Sequence, residues 1–165
     1  MTKRITVLFA AVLLPILLIV TGCGAAKELT VQEYYDRLYD NFKQYVSDLQ
    51  EIGEIETSVS SVDDLKDKLQ RAREICEKAD KTLDNFVNMA PPSHFAEKHK
   101  TLVSAVRLEK EFVKAAEKIF TASSADELEQ YKTEAEAIFH NVPEEQQFAG
   151  VFADLILEVK AAAED

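Results

Sequence analysis

The stretch TVQEYYDRLYDNFKQYVSDLQEIG, residues 30–53, carries apolar side chains at spacings that alternate between four and three residues. This spacing places them on one face of an α-helix. Thr30 and Glu33 have the spacing of a capping box, which predicts where the helix begins, and Gly53 predicts where it ends. The apolar face comprises Val31, Tyr35, Leu38, Phe42, Tyr45, Leu49 and Ile52.

Four further apolar stripes follow, and prolines and capping residues separate them. The second begins after Ser61, a predicted N-cap, and stops at Pro91-Pro92, because proline lacks an amide donor and disfavours helix in the preceding residue. No stretch alternates as a strand does. The sequence therefore predicts an all-α fold, a single antiparallel bundle of four to five helices over residues 30–165. The later boundaries are predicted at Ser93 and Phe120, at a capping box of Ser124 and Glu127, and at Pro143.

The N-terminal stretch has the charge and hydropathy pattern of a signal peptide. Lys3 and Arg4 precede an apolar run, residues 5–20, that only Thr6 and Pro15 interrupt. The run is shorter than the roughly 20 residues that a membrane-spanning helix needs. We therefore predict that residues 1–22 are a signal peptide and are cleaved from the mature protein.

Val20-Thr21-Gly22-Cys23 follows this run and resembles the lipobox of bacterial lipoproteins. The resemblance implies that the Cys23 thiol receives a diacylglyceryl group through a thioether and that a peptidase cleaves between Gly22 and Cys23. It implies a lipid anchor on the extracytoplasmic side of a bacterial membrane. In a second interpretation Cys23 is an ordinary thiol at the end of an uncleaved helix. That interpretation gives the same side of the membrane, because positive charges hold the N-terminus inside.

The charge of the mature chain argues against a nucleic-acid partner. Without Lys3 and Arg4, the mature chain has a net charge of 17 − 30 = −13, whereas binding to phosphates needs clustered Lys and Arg. An acidic domain is expected to stand off an anionic lipid surface rather than lie on it. Residues 23–29, the predicted lipid-bearing cysteine and its tether, hold it close to the membrane, because the six residues after Cys23 span at most about 20 Å.

Two polar side chains, His99 and Glu109, are predicted to lie within the apolar face of the third helix. Counting 100° per residue from Phe95 places them at about +40° and −40°. They are about 15 Å apart along the axis, so each needs a partner on another helix. For His99 we expect hydrogen bonds to the last carbonyls of the second helix, at residues 88–90. A contact with a bound ligand is the alternative.

The junction PPSHFAEKHKTL, residues 91–102, resembles a segment of many small helical bacterial lipoproteins without an assigned activity. In these a double proline precedes a histidine and then an aliphatic residue, which here are Pro91, Pro92, His99 and Leu102. The resemblance implies a fold and no mechanism.

The remaining candidates are tyrosines, one cysteine and one acid–histidine pair. Tyr34, Tyr35, Tyr39 and Tyr45 cluster on the first helix, where they line a binding groove or pack the core with their hydroxyl groups at its edge. Cys76 lies mid-stripe and is expected to be buried and inert. Glu136 and His140 have helical spacing for a shared metal, but one such pair is common by chance, so we expect no metal and no cofactor.

Two hypotheses for function remain. The first is a non-enzymatic, lipid-anchored lipoprotein that binds another protein or assists envelope assembly, with the partner unidentified. The second is a bundle that holds a small molecule, cofactor or metal between its helices, near the tyrosines, His99 or Glu109. A hydrolase is disfavoured, because no cluster of an acid, a base and a nucleophile is recognisable.

Overall fold

This computed structural model describes residues 27–56 and 62–164 of the chain. These residues contain five α-helices. No strand occurs within those ranges, which confirms the predicted all-α fold. The predicted signal peptide (residues 1–22), Cys23 and the predicted N-cap Ser61 lie outside these ranges. The helices are α1 (Val31–Glu56), α2 (Val62–Val87), α3 (Ala96–Ile119), α4 (Ala125–Phe139) and α5 (Phe148–Glu164), with 3-10 turns at Ser93–Phe95 and Glu144–Gln146.

Helices α1, α2, α3 and α5 form a four-membered ring, in which each contacts the next and α5 closes the ring against α1. Adjacent helices in the ring run antiparallel to each other. Arg71 of α2 pairs with Glu51 near the end of α1, and Lys98 near the start of α3 pairs with Glu158 near the end of α5. Helices α1 and α3 therefore face each other across the ring and run in the same direction.

Helix α4 packs mainly against the C-terminal half of α3. The rings of Phe112 and Phe139 lie 5.1 Å apart, and Lys118 lies 3.3 Å from Glu134. Of its residues only Ala135 is buried. Helix α4 is therefore a peripheral helix that returns the chain to the start of α5.

The observed helix ends follow local capping, with one correction. The Thr30 amide and hydroxyl donate to Glu33, whose own amide donates back to the Thr30 hydroxyl, which confirms the predicted capping box. Ser124 caps α4 by accepting from the Glu127 amide. The prediction that α1 ends at Gly53 is wrong, because the helix continues three residues to Glu56. Gly53 has no positive φ and so does not form the left-handed cap that ends a helix.

The core is most aromatic where α5 closes the ring. Phe148 packs edge-on against Tyr45 and Phe86, at 5.5 Å and 5.2 Å between ring centroids, and Phe152 stacks on Phe42 at 4.0 Å. Gly150 lies against the Glu144–Gln146 turn, where a side chain would collide with the Glu144 carbonyl. These contacts hold the start of α5 on the ring.

The residues just before α1 are attached to the turn between α2 and α3. The Leu29 amide donates to the Ala90 carbonyl at 3.0 Å, and the Ser93 amide donates to the Glu28 carboxylate. The bundle therefore has a defined end that holds the chain's entry, the Pro91-Pro92 turn and the end of α5. Among the described helices, none is both long enough and apolar enough to cross a membrane.

Candidate functional site

His99 and Tyr34 form a buried pair across the ring. His99 lies in the first turn of α3 and Tyr34 in the first turn of α1, and Nδ1 of His99 lies 2.9 Å from the Tyr34 hydroxyl oxygen. The rings meet edge-on at 5.7 Å, and both side chains are buried. Burial lowers the pKa of His99, and the nearby carbonyl of Phe86 only partly opposes this effect. The imidazole is therefore held in its neutral form.

The predicted partner of His99 is only partly correct, because the nearby carbonyl belongs to Phe86, in the last turn of α2, and not to residues 88–90. His99 bonds Tyr34 and not the carbonyls of residues 88–90, and its Nε2 is buried without a hydrogen bond of good geometry. One physical reason is visible at the turn, where the Ala90 carbonyl accepts from the Leu29 amide. The turn after α2 is thus engaged by the segment before α1, and His99 joins α3 to α1 through Tyr34.

Glu109 and Tyr45 form a second pair across the ring, about three helical turns further along. The Tyr45 hydroxyl donates to Oε1 of Glu109, which confirms that Glu109 finds its partner on another helix. Burial raises the pKa of Glu109, and the hydrogen bond from Tyr45 partly offsets this rise. Burial and the neighbouring carboxylate also raise the pKa of Tyr45. Both groups are therefore biased towards their protonated forms.

The four tyrosines of α1 do not line one groove. Tyr34 and Tyr45 are 0% and 2% exposed, whereas Tyr39 is 51% exposed. Tyr35 and Tyr39 stack on each other at the surface, with centroids 6.1 Å apart. The division follows from helical geometry, because eleven residues are close to three full turns and place Tyr34 and Tyr45 on the same face. The groove interpretation is corrected: Tyr34 and Tyr45 are core residues, Tyr35 is partly buried against the core, and the exposed Tyr39 stacks on Tyr35.

Asp48 is a buried carboxylate that was not predicted from the sequence. It is 1% exposed, and its Oδ1 accepts from Lys78 of α2 at 2.7 Å and from Gln44 at 2.8 Å. Its second oxygen, Oδ2, is buried without a partner. The burial of Asp48 could have been predicted from helical spacing. One helix face contains, in steps of four, seven and three residues, Tyr34, Leu38, Tyr45 and Asp48. The buried face of α1 is thus rotated from the predicted stripe, and Leu49 is 37% exposed.

Cys76 lies at a small cleft of about 260 Å³ between α2 and α3. The side chain is 2% exposed, and burial, together with the Glu117 carboxylate, raises the pKa of the thiol to about 11. A thiol at that pKa is almost entirely protonated at neutral pH and is a poor nucleophile. The position therefore favours a packing role.

The larger clefts of the described chain are open surface grooves. One, of about 430 Å³, lies between α3 and α5 and has an apolar floor that includes Val151 and Leu155. Leu157, 67% exposed, lies at its side, and Lys98 and Glu158 form part of its charged border. An apolar floor with a charged rim is the composition of a protein-binding surface.

Within the described ranges, no group of three or more His, Cys, Asp or Glu side chains is arranged to hold a metal ion. Glu136 and His140 are both exposed, at the end of α4. In the comparisons with known proteins, no family model, curated protein or solved structure matches this chain.

Proposed function

We propose that this protein is a lipoprotein, anchored through a lipid on Cys23 to the extracytoplasmic side of a bacterial membrane, where its helical bundle binds another protein. The observation that carries the proposal is the sequence Val20-Thr21-Gly22-Cys23 after a charged and then apolar N-terminal stretch. The attachment of Glu28 and Leu29 to the bundle supports it, because the folded domain then begins only a few residues after the anchor.

The binding role is favoured over catalysis by how the polar core groups are used. His99 and Glu109 each face a tyrosine of α1 rather than a cleft. Asp48 is engaged by Lys78 and Gln44. Groups that bond one another inside a core specify a unique packing and are not presented to a substrate. The surface groove between α3 and α5 offers a partner an apolar contact at Leu157 within a charged border.

The anchor is tested by replacing each cysteine separately. Cys23→Ala is expected to abolish incorporation of a labelled fatty acid and to leave a larger, unprocessed precursor. Cys76→Ala is the matched control, because it removes the other cysteine, which is buried, and should leave labelling and processing unchanged. Label that persists in Cys23→Ala would overturn the lipid anchor.

The binding role is tested by chemical crosslinking of the full lipoprotein in its native membrane, followed by mass spectrometry of proteins, metals and small molecules in one eluate. We expect a reproducible protein neighbour, and we expect Leu157→Glu to reduce its recovery. Lys132→Glu on the exposed side of α4 is the control substitution. A small molecule or metal in stoichiometric amount, without a protein neighbour, would overturn the binding role in favour of a carrier or sensor.

A further inference from the structure

The attachment of residues 28 and 29 fixes where the chain enters the bundle. The Leu29 amide bonds the Ala90 carbonyl, and the Glu28 carboxylate accepts from the Ser93 amide, so both contacts involve the turn between α2 and α3. The capping box of Thr30 and Glu33 begins α1 at the next residue. The entry point is therefore part of the folded domain rather than a freely moving tether.

This attachment shortens the distance available between the lipid and the domain. Four residues, 24–27, separate Cys23 from Glu28, and five Cα–Cα steps span at most roughly 18 Å. Helix α1 has 26 residues, so the opposite end of the bundle is roughly 39 Å from the entry point. A tether this short keeps the entry end of the bundle within about 18 Å of the membrane, and the charge distribution then distinguishes an upright bundle from one lying on its side.

The charge of the two ends supports an upright bundle. We define the turn end as residues 27–37, 88–104 and 155–164, and the far end as residues 50–55, 65–70 and 117–128. The turn end contains five basic and six acidic residues, a net charge of −1, and the far end contains three basic and six acidic residues, a net charge of −3. The remaining −9 of the −13 of the mature chain lies outside both ends. An anionic lipid surface repels the remaining, strongly acidic part of the protein and hardly affects the turn end.

We propose that the protein stands upright on the membrane, with the turn end against the phospholipid headgroups and the far end pointing away from them. The proposal rests on the lipid anchor at Cys23 given under Proposed function, and it adds the surface that meets the membrane. It also places the groove between α3 and α5 near the headgroups, because Lys98 and Glu158 on its border belong to the turn end.

The test measures how deep two matched positions lie. Ser93 belongs to the turn end and Ser123 to the far end, and both are exposed. Each is changed to Cys in a Cys76→Ala background, labelled with a fluorophore, and the lipidated protein is placed in vesicles of phosphatidylethanolamine and phosphatidylglycerol. Some vesicles carry lipids with a nitroxide quencher on the headgroup. We expect the label at Ser93→Cys to lose most of its fluorescence and the label at Ser123→Cys to lose little.

Lengthening the tether provides an independent variant that leaves the bundle unchanged. A flexible Gly-Ser insertion of roughly 20 residues between Ala26 and Lys27 has an end-to-end distance of about 25 Å, so the domain can move away from the surface. Quenching at Ser93→Cys should then fall towards the value at Ser123→Cys. Quenching at Ser93→Cys that the insertion leaves unchanged would contradict an orientation set by the short tether.

Mass spectrometry of the Cys23 peptide from the same vesicles separates the two proposals. Equal or reversed quenching at the two positions, with lipid present on Cys23, overturns the orientation and leaves the lipid anchor standing. A Cys23 peptide without lipid overturns the anchor and, with it, the orientation.

Discussion

Two hydrogen bonds join α1 to α3 across the ring, and their surroundings differ. At the turn end, Tyr34 meets His99, and both side chains are buried beside Phe95. Further along, Tyr45 meets Glu109, and this carboxylate is only half-buried. Both pairs use a tyrosine hydroxyl, but His99 is fully buried whereas Glu109 remains partly accessible to water.

The two pairs have opposite effects on stability as pH changes, because burial disfavours the charged form, which is the protonated form of His99 and the deprotonated form of Glu109. The folded protein holds His99 at a pKa below its ordinary value of 6.5, so below pH 6.5 the unfolded chain binds the proton more readily and acidification destabilises the fold. The folded protein holds Glu109 at a pKa above 4.5. Between 4.5 and that raised pKa the folded state binds more protons, so acidification stabilises it.

The largest loss of stability is expected from a substitution in the aromatic cluster beside the Tyr45–Glu109 pair. Phe148→Ala removes a buried ring that contacts Tyr45 and Phe86, and it should lower the free energy of unfolding by about 3–5 kcal/mol. Leu157→Ala on the same helix is the control, because this side chain is 67% exposed and its loss should change stability by less than about 0.5 kcal/mol. Urea denaturation followed by circular dichroism measures both. Similar losses for the two variants would show that α5 does not depend on this cluster.

The next largest effects come from removing each of the two tyrosine hydroxyls and comparing the losses of stability. Tyr34→Phe should cost about 2 kcal/mol, because it leaves His99 buried without a hydrogen bond, whereas Tyr45→Phe should cost about 1 kcal/mol, because Glu109 can regain water. Tyr39→Phe serves as the control, since that ring lies in the surface stack. Unfolding free energies in the reverse order would show that access to water does not distinguish the pairs.

The smallest expected effect is a change in how stability depends on pH, and it has opposite signs for variants of His99 and Glu109. Between about pH 7 and pH 5.5, the wild-type chain should lose stability partly through His99, and His99→Gln should reduce that loss. Glu109→Gln should increase the loss of stability as the pH falls further towards 4.5, because it removes a group whose pKa is raised above 4.5 and whose protonation favours the folded state. His94→Gln, at an exposed histidine, is the matched control. Denaturation midpoints across both pH ranges measure the effects, and parallel profiles for all four proteins would contradict the assigned pKa directions.

The local signals in the sequence predicted the helices closely. The capping box at Thr30 forms as predicted, and Ser124 accepts from the Glu127 amide as predicted, but the Glu127 carboxylate accepts from Ser123 and not from Ser124. Pro91-Pro92 and Pro143 separate helices as expected. Gly53 was the exception. A glycine ends a helix only when the chain around it adopts a left-handed turn, and the continuation to Glu56 shows that it does not do so here.

The candidate site was predicted only in part. The positions of His99 and Glu109 on the apolar face of α3 followed from periodicity, but the partner of His99 did not. Asp48 was overlooked because a charged residue was not counted as part of the buried face, although Lys78 and Gln44 make its burial feasible. The tyrosines were treated as a group, whereas the helical repeat divides them between core and surface.

The sequence by itself determined an all-α chain, the approximate ends of its helices and the presence of two polar groups on the core face of α3. These features depend on residues three to four positions apart, and such spacing is visible along the chain. Only the tertiary structure decided that Tyr34 meets His99, that Tyr45 meets Glu109, and that Leu29 engages Ala90. Those contacts join residues about sixty positions apart, and only the packing of the helices against one another brings them together.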